Sequence, residues 1–364
     1  MSSASAAAPP AAAADPHLAG QAQAQGGLEA GTSLRSESPP KPGKLRYITS
    51  QEAAQIDEVL MSPDGGAFSI DQLMELAGLS CAQTVHACYP PTQFPNVLVA
   101  AGPGNQGGDG LVAARHLSHF GYTVSVWYPK EGKTELFKRL KKQLQNLRVS
   151  FLEVDEFEDG LEGSDVVLDT IFGFSFKGEP REPFREPLEA LKNESRMEFE
   201  ARRKVPPIVS VDIPSGWDVD TGNPSGKFFT PQVLVSLTAP KKGVRAFTLS
   251  QDPSTVPLAA GSSSVSSSTD KGILDEADAV RKARDLARQT GRHFLGGRFI
   301  PDDVEEKFSL ALPSYPADDQ IVDVTGWTEM SVEEAKEKVE EEAKESLLVA
   351  EARAKAARGA APAV

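Results

Sequence analysis

A six-residue run, Asn96-Val97-Leu98-Val99-Ala100-Ala101, passes directly into Gly102-Pro103-Gly104-Asn105-Gln106-Gly107-Gly108-Asp109-Gly110. An unbroken apolar stretch this short, closed by glycines, reads as a strand covered on both faces of a parallel sheet. Parallel neighbours require crossover connections, so helices must alternate with strands. The chain supplies both. Strands are expected over residues 123–128, 149–154, 165–170, 208–212 and 233–238, and helices over 110–120 and 134–145. Upstream, Thr49 and Ser50 offer a cap for a helix carrying Glu52 in its first turn. A second helix is expected over 70–87, from Leu73, Leu76, Ala77, Leu79 and Cys81 at near-helical spacing. The fold class is α/β, three layers deep, with a mostly parallel sheet between helices.

Composition sets the boundaries. Residues 1–44 are Ala, Pro, Ser, Gly and Gln with almost no large apolar side chains, and read as a disordered low-complexity segment. That segment is rich in Ser and Ala but has no Arg before Arg35 and carries Asp15 and Glu29, which leaves cytoplasm and mitochondrion both open. The domain is expected over 45–328, broken by a Ser- and Gly-rich insertion at about 248–289, with 329–364 as a charged helical or disordered tail. The 40% hydrophobic and 25% charged content suffices for a sizeable core. No apolar run approaches the roughly 20 residues that a bilayer demands. A formal net charge of −14 argues against nucleic acid as a partner, so a dinucleotide would rely on backbone N–H groups and a few placed cations. Cys81 and Cys88, on one helix at roughly 10 Å separation by helical rise, are too far apart for a disulfide.

Chemistry collects where the strands end. Gly102, Gly104 and Gly107 satisfy G-x-G-x-x-G between a strand and a helix, which fits a dinucleotide fingerprint. The second strand, however, ends Tyr128-Pro129-Lys130, without the acid that grips a ribose in a redox dehydrogenase. The next strand closes on Asp169, followed by Gly173-Phe174-Ser175-Phe176-Lys177-Gly178-Glu179. Phe174 and Phe176 are candidates to flank a flat ring, and Lys177 to meet a phosphate. A third strand delivers Asp212, Pro214 and Ser215. In an open α/β sheet, ligands bind outside the carboxyl ends of the strands, and three strand ends here carry polar groups to that edge. The five histidines are dispersed without metal-ligand spacing, and His116 and His119 read as packing or surface residues.

The segments at 102–117 (GPGNQGGDGLVAARHL), 168–178 (LDTIFGFSFKG), 211–222 (VDIPSGWDVDTG), 237–243 (LTAPKKG) and 291–301 (GRHFLGGRFIP) together resemble the NAD(P)H-hydrate epimerase family, in the family's order. The resemblance implies a Rossmann-like fold and a substrate that is NADHX or NADPHX, nicotinamide cofactors hydrated at the ring carbon beside nitrogen. It implies interconversion of their R and S epimers, so that a separate S-specific dehydratase restores the cofactor, and, from the family alone, a homodimer. It places Asn105, Gln106, Gly107, Gly108, Asp109, Gly173 to Glu179, and Asp212 on the substrate. It places a potassium ion (K+) at Gln106, Asp169 and Ser215. Gln106 departs from the Asn usual in the family, which leaves open whether its side chain or its backbone meets the ion. Inverting a carbon bonded to both a hydroxyl and a ring nitrogen requires reversible bond cleavage, and Asp212 is the candidate acid/base. The alternative is a non-catalytic nucleotide sensor that keeps the same pocket.

Overall fold

Strand β1 (Lys44–Leu45) pairs in parallel with β10 (Thr328–Glu329), while eight further strands make the main sheet. These are β2 (Asn96–Ala101), β3 (Thr123–Trp127), β4 (Ser150–Leu152), β5 (Val166–Thr170), β6 (Ile208–Val211), β7 (Val233–Leu237), β8 (Arg292–Gly296) and β9 (Ile321–Asp323). Their order is β4-β3-β2-β5-β6-β7-β8-β9, every pair parallel except the antiparallel β8 and β9. The computed structural model describes residues 43–192, 205–245, 247 and 291–359. The expected insertion and the expected low-complexity segment 1–44 lie outside these residues, apart from Gly43 and Lys44, and Lys44 is ordered because, in β1, it pairs with Thr328.

Two helical layers enclose the sheet. On one face α2 (Ile70–Cys88), α3 (Asn105–His119) and α4 (Glu135–Asn146) bury Val85, Leu111, Leu117 and Leu144 against Val97, Val99, Val126 and Leu168. On the other, α5 (Phe157–Glu162) and α6 (Arg185–Lys192) bury Leu161, Leu188 and Leu191 against Leu98, Trp127 and Val167. Side chains of β2 thus alternate between two cores, which is why its sequence has no polar face. Each fully buried Val or Leu contributes roughly 1.5–3 kcal/mol.

The first helix, α1 (Ser50–Met61), begins with Thr49 as its cap. The Glu52 amide donates to Thr49 Oγ1 at 3.1 Å and the Thr49 amide to Glu52 Oε2 at 2.8 Å. Its inner face, Ala53, Ile56 and Leu60, packs with Ile48, Ala239, and Val304 of α7 (Asp302–Phe308). The closing helix, α8 (Val332–Gly359), is charged as its sequence suggests, yet Ala335 and Val339 are buried with Ala311 and Met330. Among the described residues no helix is long and apolar enough to cross a membrane.

The sequence places the first crossover helix at 110–120, but α3 starts at Asn105, so the glycine-rich stretch is its first turns. Glycine is a poor helix former. Packing overrides that preference: a Cβ on Gly107 would lie 1.8 Å from the Gly102 carbonyl oxygen, one on Gly110 2.1 Å from Thr170 Oγ1, and one on Gly108 2.5 Å from Met74. The helix approaches the sheet this closely only because side chains are missing there.

Candidate active site

The site lies at the carboxyl edge, where the chain order places β2 beside both β3 and β5 and the two halves of the sheet diverge. Asp169, at the end of β5, is fully buried and lies in register with Ser210 of β6. It accepts hydrogen bonds from Ser210 Oγ (2.8 Å), the Ser215 amide (2.9 Å) and Ser215 Oγ (2.5 Å). Ser215 Oγ in turn accepts from the Phe172 amide at 2.9 Å, tying the β5 and β6 loops together. Gln106 Nε2 donates to the Val211 carbonyl, which joins the start of α3 to the end of β6, and Gln106 Oε1 lies over Gly173. Gln106, Asp169, Ser215 and Gly173 therefore form one connected unit.

Asp212 follows β6 with φ +60°, a left-handed conformation that Asp tolerates better than most residues but still at a cost. Its amide donates to the Val235 carbonyl at 2.7 Å. Its Oδ1 accepts from the Leu237 amide at 3.1 Å and from Lys241 Nζ at 2.5 Å, while Lys241 Nζ also donates to the Leu237 carbonyl at 2.9 Å. Lys241 and Asp212 are only 4% and 3% exposed, so this is a buried ion pair. Lys241 is held by the chain around it: Ile48 bridges to it as a short parallel ladder, with the Lys242 amide donating to the Ile48 carbonyl at 2.9 Å. Phe174 lies beside it, its ring centroid 5.9 Å from Lys241 Nζ.

Two more carboxyls face this pair. Asp109, on α3, is held well above the usual carboxylate range by burial, then by the charges of Asp212 and Asp57. Asp57, on α1, is raised by burial and Asp212 and lowered by Lys241. The sequence reading named Asp109 and Asp212 but neither Asp57 nor Lys241. Lys241 stands in the quoted segment 237–243, and the signal that was there to use is its position four residues past a strand end.

The remaining expected contacts divide. Asn105 is exposed at the start of α3, whose cap, Gly104, makes no side-chain hydrogen bond and has nothing within 4 Å of a Cβ built on it. An uncapped helix N-terminus facing open space suits an anion such as a pyrophosphate. Phe176 does not stand opposite Phe174. It stacks on Phe172 at 3.9 Å between centroids and 8° between planes, because a loop aromatic gains more by covering a neighbour than by facing water. Ser175, Lys177, Gly178 and Glu179 are exposed, and Glu179 pairs with Lys227. A surface cleft beside Glu179, lined also by Arg185, Leu188, Glu189 and Phe228, shares none of the residues around Asp212.

The donor set at Asp169 fits an alkali cation. Its carboxyl is pushed up by burial against the hydrogen bonds of Ser215 and Ser210, and no Lys, Arg or His among the described residues pairs with it. The groups around it are hard oxygens, Ser215 Oγ and the Phe172 carbonyl among them. The Gln106 amide is committed to Val211 through its nitrogen, which leaves its oxygens as the atoms to offer.

A family model described as YjeF-related protein N-terminus matches residues 70–243, the stretch that contains every carboxyl named above except Asp57. An NAD(P)H-hydrate epimerase of Mycosarcoma maydis is 57% identical over 298 residues, covering 82% of this chain and 95% of that protein. This chain belongs to the NAD(P)H-hydrate epimerase family. A second family member, from Puccinia graminis f. sp. tritici, is 44% identical and aligns with 77% of this chain and 95% of its own. The crystal structure of yeast ynu0, YNL200c, superposes with a TM-score of 0.57 at 37% identity, over 77% of this chain and all of that one. The α/β fold and mostly parallel sheet of the family are thus those of this chain.

Proposed function

We propose that this chain interconverts the R and S epimers of hydrated NADH and NADPH, and so feeds a separate dehydratase that accepts only the S form. The observation that carries the reading is the delivery of Asp109 by the first turns of α3, Asp169 by β5 and Asp212 by the loop after β6 to one edge, beside an uncapped helix N-terminus, in a chain of this family.

The reacting carbon holds a hydroxyl and the ring nitrogen. Asp212 Oδ2, which has no hydrogen-bond partner among the described residues, takes the hydroxyl proton. A carbonyl forms as the carbon–nitrogen bond breaks, its electron pair passes to the ring nitrogen, and Asp212 gives that nitrogen the proton it took. Rotation of the freed aldehyde arm presents its opposite face, and the reverse steps close the ring with inverted configuration. The α3 N-terminus holds the pyrophosphate, and Phe174 lies within reach of the ring side of the cleft. A potassium ion at Asp169, Ser215 and Gln106, when bound, would balance the buried Asp169 charge and stiffen the β5 and β6 loops. A homodimer and a cytoplasmic or mitochondrial location belong to the same reading.

The test is to add the purified protein to NADHX with an S-specific dehydratase and follow consumption of the R fraction. Complete consumption is expected, with Asp212→Asn slowing it by about 100- to 10,000-fold, the usual cost of a lost acid/base. Binding of NADHX without interconversion would instead make the protein a sensor.

A further inference from the structure

The established parts of the site do not account for Lys241, a buried cation that the sequence reading passed over. Its Nζ makes two hydrogen bonds, to Asp212 Oδ1 at 2.5 Å and to the Leu237 carbonyl at 2.9 Å, and a lysine ammonium has three protons to donate. Oδ1 of Asp212 is therefore doubly engaged, by Lys241 and by the Leu237 amide, while Oδ2 has no partner among the described residues. The carboxylate cannot rotate without breaking both bonds. Resting on the epimerase reading, we propose that Lys241 is a positioning residue that clamps Asp212 so that Oδ2 meets the substrate hydroxyl as base.

Among the described residues Lys241 pairs with Asp212 alone. Lys241 and the Leu237 amide both bind Oδ1, and the left-handed backbone of Asp212 sets where the carboxylate starts, so the clamp fixes the direction in which Oδ2 points.

The experiment uses the full chain with NADHX and measures turnover and the dinucleotide dissociation constant. Lys241→Met should lower kcat on the order of 100-fold while leaving the dissociation constant of NADH within about threefold. Combined with Asp212→Asn, it should add nothing, because the clamp has no base left to hold. If the methionine variant does not fold, Lys241→Gln is judged on the same measurements. Turnover of the Lys241 variant within about threefold of wild type, or losses that multiply with Asp212→Asn, would overturn the positioning role. Inactive wild type is a separate outcome that removes the epimerase reading and this proposal together.

Discussion

Gly102 and Ile171 meet across the ends of two adjacent strands, with a Cβ on Gly102 placed 1.8 Å from the Ile171 carbonyl oxygen. Gly107 is equally close to Gly102 itself. Backbone oxygens on one side and a helix on the other leave no flexible side chain to yield.

Gly102→Ala and Gly107→Ala should therefore lower stability by at least the roughly 1–3 kcal/mol typical of overpacking, read as a fall in Tm. Gly104→Ala is the contrast, since a Cβ there meets nothing within 4 Å. Its Tm should match wild type while KM for the dinucleotide rises, if the open space belongs to the ligand.

Asp109→Asn should stabilise the fold as pH rises. The folded-state proton affinity of Asp109 is raised, first by burial and then by Asp212 and Asp57. A carboxyl raised on folding favours the native state below its unfolded pKa and loses that advantage as pH climbs through the folded value. Asparagine carries no such charge. The Tm difference between variant and wild type should thus be near zero at about pH 4 and grow toward neutral and alkaline pH, giving a more stable and less active protein.

Lys177→Ala should raise KM by roughly two- to fivefold with kcat unchanged, as expected for an exposed cation that adds a small, uniform binding term. Lys177 is exposed and its charge reaches Asp218. A collapse of kcat at constant KM would move it into the chemistry.

Asp169→Ala removes the acceptor of the Ser210 Oγ, Ser215 amide and Ser215 Oγ bonds, and each hydrogen bond to a charged group contributes about 1.5–3 kcal/mol. A large fall in Tm is expected. Potassium should raise the Tm or the turnover of wild type relative to a large organic cation at equal ionic strength, and the variant should show no difference. Equal behaviour of wild type in both salts would take the ion out of the site.

The parts of the molecule that were legible in the sequence are those where one signal stands alone. Asn96 to Ala101 is buried on both faces, so its composition is unambiguous, and its limits as a strand are the limits of the run. Asp169 and Asp212 end strands, which fixes the edge they occupy before any coordinates are known. What was hidden depends on distant packing. The start of α3 runs through glycines whose weak helix propensity is outweighed by contacts with Gly102, Met74 and Thr170. Strand β8, which the sequence analysis does not predict, opens on Arg292 and His293, and these polar residues fit a sheet only because Asp323 pairs with one and Ser236 with the other. Lys241 looks like half of an ordinary basic pair, and only Asp212, 29 residues earlier, makes it a buried cation. Asp57 sits on a helix recognised by its cap, but which residue of that helix faces the cleft is set by packing on Ile48, Ala239 and Val304.

The uncapped start of α3 has one more consequence. Helices usually carry their own capping side chain, and Gly104 provides none, so the donors of the first turn have no side-chain cap from that residue. In folding terms the pyrophosphate would be the missing piece of the helix. Occupancy would then be felt along the segment it completes: amide exchange in the first turns of α3 should slow when dinucleotide binds, and through the Gln106 link to Val211 the protection should spread to the end of β6. Ligand recognition and local ordering would be the same event.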